Sequence, residues 1–259
     1  MTQLLQTQGP RAKRRGQNPW ARVIIASPPR VNVNGGSQPS GYCPIPPVLH
    51  GYRYSVYVRI ARLALAEKGV AYDQVEINPF AAEIPASYLA LHPFGRVPTL
   101  VQGDFVLYET AAITRYVDRA FEGPPLQPDD ARSLARMDQA LSIVDSYAYW
   151  PMVRQVFSQR VFRPSIGQPT DESEIGRGLR DAEKVLGALE ALAGGGGFLV
   201  GPRLSLADLH LGAMMAYFTA AAEGQALLDR HASLSAWWQR MGQRPSFFAT
   251  DPGLPVTQL

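Results

Sequence analysis

Two short stretches decide how the chain is organised: Leu91-His-Pro-Phe-Gly-Arg-Val-Pro-Thr-Leu100 and Tyr108-Glu-Thr-Ala-Ala-Ile-Thr-Arg-Tyr116. The first turns at a glycine and enters a short apolar segment that Pro98 interrupts. Because proline cannot donate a hydrogen bond to a strand ladder, Pro98 is expected at a strand start or a turn. The bond before it is a candidate cis peptide, since only bonds that precede proline adopt this form at low cost. An ordinary edge-strand proline accounts for the bare dipeptide at least as well.

Secondary structure around these stretches is predicted to begin with a strand at 47–51 and a helix at 55–68 that stops at Gly69. Residues 72–77 alternate polar and apolar side chains and predict a second strand. A strand, a helix and a strand in this order imply a parallel pair with a right-handed crossover. A short helix is expected at 88–91. Strands at 97–101 and 105–107 and a helix from about 110 to 120 complete a βαβ–ββα unit with a mixed sheet.

No strand pattern returns after the proline-rich stretch 124–128. Apolar residues at helical spacing instead predict helices over 129–162, 171–192, 205–222 and 234–241, with a kink or break at Pro151. The chain therefore divides into an α/β domain, 47–122, and an all-helical domain, 129–248. Residues 1–46 are rich in Gln, Pro, Gly and Arg, and are expected to be a disordered or non-native extension.

The composition is that of a globular protein, with 46% hydrophobic and 10% aromatic residues. No apolar run reaches the length of a membrane span. The single cysteine, Cys43, excludes an internal disulfide and a cysteine-rich zinc site. The four histidines lie at 50, 92, 210 and 231 and lack the spacing of metal ligands, so no metal is expected.

The positive net charge comes from one end of the chain. Residues 1–50 hold six basic residues and no acidic one, which leaves 19 of the 25 basic residues and all 22 acidic residues in the remainder. This mildly acidic body offers no basic face to follow a phosphate backbone, and we expect no nucleic-acid partner.

The arrangement of a βαβ–ββα domain, a Val-Pro pair and a helical domain resembles the soluble glutathione transferases, in a bacterial-like form of undetermined class. Three motifs carry the resemblance over about residues 47–245. The stretch 92–100 is similar to the family's Asn/His-Pro-x-Gly-x-Val-Pro-x-Leu segment, and 108–113 to its Glu/Asp-Ser-x-x-Ile segment. Leu204-Ser-Leu-Ala-Asp208 resembles the capping motif of its central helix. Each motif is weak alone, and their order and spacing make the match specific.

The resemblance implies a thioredoxin-like first domain that binds glutathione as a co-substrate. Val97, before the cis-proline Pro98, would pair through its backbone with the cysteinyl part. Glu109 and Thr110 would hold the γ-glutamyl end, with Thr110 where most relatives have serine, and Arg96 could approach the glycyl carboxylate. A helix N-terminus suits a carboxylate on physical grounds. The alternative is that Thr110 only caps the helix and Glu109 only complements its dipole.

Glutathione transfer needs the thiol as a thiolate, which is the nucleophile. The family places the activating group just after the first strand, where this chain has Gly51-Tyr-Arg-Tyr-Ser-Val-Tyr57. Alignment with serine-type members selects Tyr52 and alignment with cysteine-type members selects Tyr54, whereas Ser55 is the only serine and could simply cap the helix. We rank Ser55 first, Tyr54 second and Tyr52 third, and none of the family patterns is met cleanly.

The pocket for the electrophile is expected between the domains, where the first long helix offers Tyr147, Tyr149, Trp150, Arg154 and Phe157. Of these we select Tyr149, Trp150 and Arg154, although an aromatic stripe of this kind is usually core. The resemblance implies a cytoplasmic, homodimeric detoxification enzyme that conjugates glutathione to small hydrophobic electrophiles. Glutathione-dependent reduction, peroxide removal or dehalogenation is one alternative. A non-catalytic module that only binds glutathione is another, because fold does not dictate function.

One motif is predicted to be structural. Ser205 and Asp208 have the spacing of a helix capping box, and Leu204 and Leu209 occupy the hydrophobic-staple positions around it.

Overall fold

The computed structural model describes residues 45–193 and 197–255. The predicted extension therefore lies, except for residues 45 and 46, outside the described part of the chain. The first half contains β1 (Val48–Gly51), α1 (Val56–Glu67), β2 (Asp73–Glu76), α2 (Ala86–Leu89), β3 (Thr99–Gln102), β4 (Phe105–Tyr108) and α3 (Thr110–Ala120). The second half contains α4 (Ala131–Ile143), a π-helical segment (Val144–Phe162), α5 (Arg163–Ser165), α6 (Glu172–Leu192), α7 (Leu206–Phe218), α8 (Ala222–Leu228), α9 (Ala232–Gly242) and α10 (Pro245–Ala249).

The sheet has the mixed topology that the sequence predicts. Its strand order is β2-β1-β3-β4, in which β1 and β2 are parallel and the other two pairs are antiparallel. Leu49 on β1 pairs with Leu100 on β3, and both side chains are fully buried. A thioredoxin-like α/β domain followed by a helical domain, as predicted, is therefore the fold of the described chain.

The helical domain is organised around α7. Every residue of this helix is buried except Ala216, and it contacts α1, α4, α9 and the π-helical segment. Such an all-round apolar helix is typical of the centre of a domain. The predicted capping box is present at its start, where Asp208 accepts hydrogen bonds from the backbone N–H and the hydroxyl of Ser205 at 2.8 and 2.7 Å.

The helix that was predicted to kink or break at Pro151 is not interrupted there. It changes from α4 into the π-helical segment, at whose end the Arg163 N–H donates to the Ser158 carbonyl five residues back. Proline has no backbone N–H, and its ring clashes with the preceding turn of a regular α-helix. The altered hydrogen-bond register of this segment accommodates Pro151 without ending the helix. Gly178 on α6 packs so closely that a Cβ at this position would lie 2.8 Å from the Pro151 carbonyl oxygen.

Three helices were missed by the sequence analysis: α5, α8 and α10. They span three, seven and five residues, which is too short for a helical apolar period to stand out from its surroundings.

The N-terminal domain is tied to the end of the helical domain through α1. The Arg59 guanidinium donates to the Phe247 carbonyl at 3.0 Å, and Arg62 donates to the Thr250 carbonyl at 3.1 Å. One turn further along, Glu67 accepts two hydrogen bonds from Arg244 at 2.7 and 2.8 Å. These contacts hold the body of α1 against the end of the helical domain, and the N-terminal end of the same helix borders the candidate site.

Candidate functional site

A cavity of about 700 Å³ lies between the α/β domain and the π-helical segment. Its wall contains all eleven residues that the sequence analysis selected: Tyr52, Tyr54, Ser55, Arg96, Val97, Pro98, Glu109, Thr110, Tyr149, Trp150 and Arg154. It also contains residues that the sequence analysis did not assign, including Tyr57, Phe80, His92 and Asp145. The fold therefore brings the three predicted groups of residues to one place.

The Val97–Pro98 peptide bond is cis and lies at the cavity wall, immediately before β3. Tyr88 secures both sides of this pair. Its hydroxyl donates to the Arg96 carbonyl at 2.5 Å and shares a hydrogen bond of 3.0 Å with the Thr99 hydroxyl. Because Tyr88 is only 2% exposed, the loop that carries Val97 has a rigid support.

The start of α3 is open toward the cavity. Glu109 precedes the helix with φ 70° and makes no side-chain cap hydrogen bond, and Thr110 is its first residue. Glu109 is the only non-glycine residue with a positive φ in the described ranges. Such backbone conformations are unfavourable and are often found at functional sites. The first N–H groups of a helix have no partner within it, so this end can accept an anion.

The start of α1 borders the same cavity and is capped only weakly. Ser55 is the N-cap residue, and its hydroxyl accepts from the Val58 N–H at a long 3.4 Å. Its own N–H closes a turn on the Tyr52 carbonyl at 2.8 Å. A hydroxyl that is held loosely at a helix N-terminus can turn to donate to a nearby anion, where the helix dipole also favours negative charge.

Tyr52 and Tyr54 are packing residues as well as cavity residues. Their rings meet edge to face at 5.4 Å, Tyr52 also contacts Phe80, and Tyr54 contacts Phe162. Burial raises the pKa of Tyr52, which keeps it a neutral phenol. The Tyr54 backbone is anchored separately, since its carbonyl accepts from the Tyr217 hydroxyl at 3.3 Å.

Tyr57 is a hydroxyl that the sequence analysis passed over. It lines the cavity with its ring 5.0 Å from that of Tyr149, and burial, followed by the charge of Asp145, raises its pKa. Tyr57 is therefore a neutral hydrogen-bond donor at the cavity wall. Its place in the first turn of α1, at the end of the helix that borders the cavity, is the only signal that could have suggested it.

Asp145 was also missed, and it belongs to a buried chain of polar groups. The His210 Nδ1 lies 3.1 Å from the Asp145 carboxylate, and its Nε2 lies 3.3 Å from the Thr114 hydroxyl on α3. His210 is fully buried, so the chain connects the cavity wall to the interior of both domains. These residues are 31 to 96 positions apart, and no local pattern joins them.

His92, which was quoted above only as part of a motif, lies in the cavity wall. Its ring stacks on Tyr108 at 4.6 Å, and burial lowers its pKa, which favours the neutral imidazole. Its Nδ1 is buried and lacks a hydrogen-bond partner in the described part of the chain.

The opposite wall comes from the π-helical segment. Trp150 is 60% exposed, whereas Tyr149 is half-buried against Tyr57. The Arg154 guanidinium lies 5.6 Å from the Phe80 ring of the other domain, which is within the range of a cation–π contact. Phe157 completes this wall, whereas Tyr147, which belongs to the same predicted stripe, points elsewhere and is 65% exposed.

The described residues contain no group of three or more His, Cys, Asp or Glu side chains placed to hold a metal ion. The same residues contain no helix with the length and apolar character needed to cross a lipid bilayer.

Comparison with known proteins points to one family. Residues 49–125 match the model of the glutathione S-transferase N-terminal domain, and residues 149–245 match that of the glutathione S-transferase C-terminal domain. Glutathione S-transferase F13 of Arabidopsis thaliana is 30% identical over 212 residues, which cover 80% of this chain and 96% of the relative.

Two solved structures show the same likeness. Glutathione S-transferase III in its apo form superimposes with a TM-score of 0.72 and 30% identity, over 83% of this chain and 99% of that one. Glutathione S-transferase I from maize, in complex with an atrazine glutathione conjugate, gives a TM-score of 0.70 and 29% identity over 79% and 96%. Arabidopsis and maize are plants, whereas the sequence suggested a bacterial-like member of undetermined class. On the evidence of the matched domains and of these relatives, the chain belongs to the glutathione S-transferase family.

Proposed function

We propose that this transferase joins the thiolate of glutathione, its co-substrate, to small hydrophobic electrophiles. One observation carries the proposal: the open start of α3, the Val97–Pro98 pair and the weakly capped Ser55 meet in a single cavity. These features supply an anion site, a peptide-binding edge and a hydroxyl donor, which are what a tripeptide thiol needs.

Glutathione is bound along the wall of the α/β domain. The N–H groups at the start of α3 and the Thr110 hydroxyl hold the γ-glutamyl carboxylate, and Glu109 pairs with its ammonium group. The Val97 backbone pairs with the cysteinyl unit beside Pro98. Arg96, an exposed residue at the cavity rim, receives the glycyl carboxylate.

Ser55 activates the sulfur by donating its hydroxyl hydrogen to the thiolate. The 3.4 Å contact with the Val58 N–H is too long to compete strongly with a charged acceptor. A hydrogen bond to the charged form lowers the thiol pKa, and the α1 dipole acts in the same direction. Tyr54 and Tyr52 rank second and third, because aromatic contacts orient both rings.

The electrophile lies against the π-helical segment, between Tyr149, Trp150 and Arg154. The large apolar surfaces bind hydrophobic groups, and Arg154 can stabilise negative charge that develops on a leaving group. The similar maize enzyme was solved in complex with an atrazine glutathione conjugate, which supports a pocket for the electrophile beside the glutathione site.

We also propose that the enzyme acts in detoxification in the cytoplasm, as a homodimer, with domains at 47–122 and 129–248. A chain with one cysteine is suited to a reducing compartment. Exposed aromatic side chains on the α/β domain, Phe94 at 69% and Phe105 at 43%, offer an apolar surface for a second copy. Sedimentation velocity tests this assembly, and a monomer at micromolar concentration would contradict it.

The test of function compares Ser55→Ala with Tyr54→Phe and Tyr52→Phe, using glutathione and chlorodinitrobenzene. We expect Ser55→Ala to lower kcat/KM by about a hundredfold, as for the loss of one donor to a developing anion, and to raise the pKa of bound glutathione. Each tyrosine variant should retain most activity. An unchanged thiol pKa in Ser55→Ala would assign activation to another group.

The same assays separate the alternative functions. Faster turnover of cumene hydroperoxide than of the chloride would favour glutathione-dependent reduction. Retention on immobilised glutathione without turnover of either compound would favour a binding module.

A further inference from the structure

Four charged side chains line the cavity between the domains, within the described part of the chain, and they fall into two groups. Three of them, Asp145, Arg96 and Glu109, lie on the glutathione side. Burial raises the pKa of Tyr57, and the charges of all three act on it as well, which groups them around one hydroxyl. Arg154 stands apart, because nine residues of the π-helical segment separate it from Asp145, a distance on the order of 10 Å along the helix.

The Arg154 guanidinium is accessible and has no anionic partner in the described chain. No carboxylate of the described residues lies within ion-pair distance of it. It makes no hydrogen bond with them either, and none of its nitrogens is a buried atom without a partner, so these nitrogens face the solvent or the cavity. A ligand in the cavity can therefore reach them, and their planar fork matches the geometry of a carboxylate.

Ser158 supplies a second donor beside Arg154. It follows Arg154 by four residues on the same segment and lines the same cavity. Residues four apart lie on one face of a helix, so the hydroxyl and the guanidinium border the same part of the wall. The Ser158 hydroxyl makes no hydrogen bond with another described residue, which leaves it free to donate to a ligand.

Aromatic rings surround these two donors. Phe80 lies 5.6 Å from the Arg154 guanidinium and meets Tyr52 edge to face at 6.0 Å. Phe157 and Phe162, whose ring centroids are 6.4 Å apart, lie on the next turns of the π-helical segment. All four rings line the cavity. The electrophile side therefore combines flat apolar walls with one unpaired positive charge.

We propose that the electrophiles preferred by this enzyme carry a carboxylate, which the Arg154 guanidinium and the Ser158 hydroxyl bind while the ring packs among the aromatic side chains. The inference rests on the proposed function, because it names the class of electrophile that the same site accepts. Hydrogen bonds between guanidinium and carboxylate are among the strong ones in proteins. The carboxylates of Glu109 and Asp145 repel the same group from the glutathione side, so attraction and repulsion orient the electrophile in one direction.

The group transfer itself does not involve this carboxylate. With 4-chloro-3,5-dinitrobenzoate, the glutathione thiol releases its proton to solvent, and the thiolate attacks the ring carbon that bears chlorine. The C–S bond forms, and chloride leaves with the electron pair of the broken C–Cl bond. The Arg154 charge is paired with the carboxylate throughout this reaction, whereas with an uncharged electrophile it remains available to the leaving group. Arg154 thus determines which electrophile is selected.

The experiment compares 4-chloro-3,5-dinitrobenzoate with its uncharged amide, using the full chain and saturating glutathione. The preference is the ratio of the two kcat/KM values, divided by the ratio of the uncatalysed rates with glutathione, so that intrinsic reactivity cancels. We expect the unchanged protein to prefer the benzoate. Arg154→Met should lower the preference by at least about tenfold, the loss typical of a hydrogen bond to a charged group. Arg154→Lys should retain part of it, because lysine keeps the charge without the fork.

Two further variants serve as comparisons. Arg53 is an exposed cation whose guanidinium lies 5.5 Å from the Tyr54 ring, but it does not line the cavity. Because solvent screens exposed charges, Arg53→Met is the matched control and should leave the preference within about twofold of its original value. Ser158→Ala should lower the preference by less than Arg154→Met, since it removes a donor but no charge.

Three results would overturn the inference. They are an equal loss of kcat/KM for benzoate and amide in Arg154→Met, an equal fall in preference in Arg53→Met, and a higher KM for glutathione in Arg154→Met with an unchanged preference. The last result would assign Arg154 to glutathione instead.

Absence of turnover with the benzoate, the amide and chlorodinitrobenzene would count against the proposed function. Calorimetry with the glutathione conjugates of the benzoate and of the amide then tests Arg154 separately, because binding needs no turnover. Tighter binding of the benzoate conjugate, lost in Arg154→Met, would still establish the carboxylate site. Equal binding of the two conjugates to the unchanged protein would overturn it.

Discussion

The starts of α7 and α3 use the same two kinds of side chain, an acid and a hydroxyl, in opposite ways. At α7, Asp208 is fully buried and accepts four hydrogen bonds, from the Leu199 N–H, the Ser205 N–H and hydroxyl, and the Trp237 indole. At α3, Glu109 is exposed at the cavity and makes no cap hydrogen bond.

The order of the two residues explains the difference. At α7 the hydroxyl precedes the acid by three residues, so the carboxylate reaches back over the helix start and closes it. At α3 the acid comes first, with a positive φ, and the hydroxyl follows at the first helical position. That order turns the carboxylate away from the helix N–H groups and leaves them open. A closed start stabilises the fold, and an open start is available to a ligand.

The largest expected effect comes from removing the carboxylate that closes the start of α7. Asp208→Ala leaves four buried donors without their acceptor, and we expect the free energy of unfolding to fall by about 3–5 kcal/mol, as for the loss of a buried charged partner. Denaturant unfolding measures this, and Ser205→Ala, with a loss of about 1–2 kcal/mol, is the milder control. The folded fraction of Asp208→Ala should keep its KM for glutathione. A loss in unfolding free energy no greater than that of Ser205→Ala would show that the start is not closed by this carboxylate.

The next effect comes from removing a ligand donor at the open start of α3. Thr110→Val removes the hydroxyl from α3 but keeps its shape, and we expect the KM for glutathione to rise about tenfold, the loss expected for a hydrogen bond to a charged group. Thr110→Ser should restore it, because serine supplies the same donor. The two variants should have similar melting temperatures, and a KM for Thr110→Val within twofold of the original would contradict the ligand role.

Glu109→Gly should separate stability from binding. Glycine adopts a positive φ without steric cost, so we expect this variant to gain up to about 1 kcal/mol in unfolding free energy. It should at the same time bind glutathione more weakly, because the partner of the ammonium group is lost. Paired unfolding and equilibrium-binding measurements test both signs. A variant that is less stable, or that binds glutathione equally well, would contradict the conclusion that the start of α3 is kept open for a ligand.

The smallest effect concerns Glu67, whose carboxylate, like that of Asp208, accepts hydrogen bonds from protein groups. Burial acts to raise its pKa, but hydrogen bonds from Arg244 and Ser246 outweigh burial and hold the pKa below its usual value. Because the folded-state pKa is depressed, the stabilisation is present above the unfolded pKa and is lost as the pH falls through the folded one. The stability difference between the unchanged protein and Glu67→Gln should therefore be greatest near neutral pH and shrink in acid. A difference that grows in acid would show that the carboxylate is not stabilised in the folded state.

Local sequence patterns predicted the features of the fold and of the candidate site that lie within one or two elements. The Val97–Pro98 turn, the start of α3 at Thr110 and the capping box at Ser205 each depend on neighbouring residues, so their signals are contained in short windows. The ranking of Ser55 before Tyr54 and Tyr52 stays a prediction, because it depends on side-chain direction within a four-residue turn.

Contacts between distant residues were beyond sequence reasoning. Asp145, His210 and Thr114 form one polar chain, yet each alone resembles an ordinary helix residue. The same holds for Arg59, whose partner carbonyl is 188 positions away. The helical stretch over 129–162 was predicted, but its π-helical register around Pro151 was not, because no local pattern distinguishes that register from an α-helix.

The π-helical segment also bears on how such a pocket could diversify during evolution. Each residue of an α-helix advances the side-chain direction by about 100°, so one inserted or deleted codon before Tyr149 would rotate Tyr149, Trp150 and Arg154 together to a new direction. Point substitutions change one wall residue at a time, whereas such a shift would replace the whole wall in one event. The close approach of α6 at Gly178 would oppose it, because a Cβ there would already lie 2.8 Å from the Pro151 carbonyl oxygen and a rotated segment would have to fit the same narrow space.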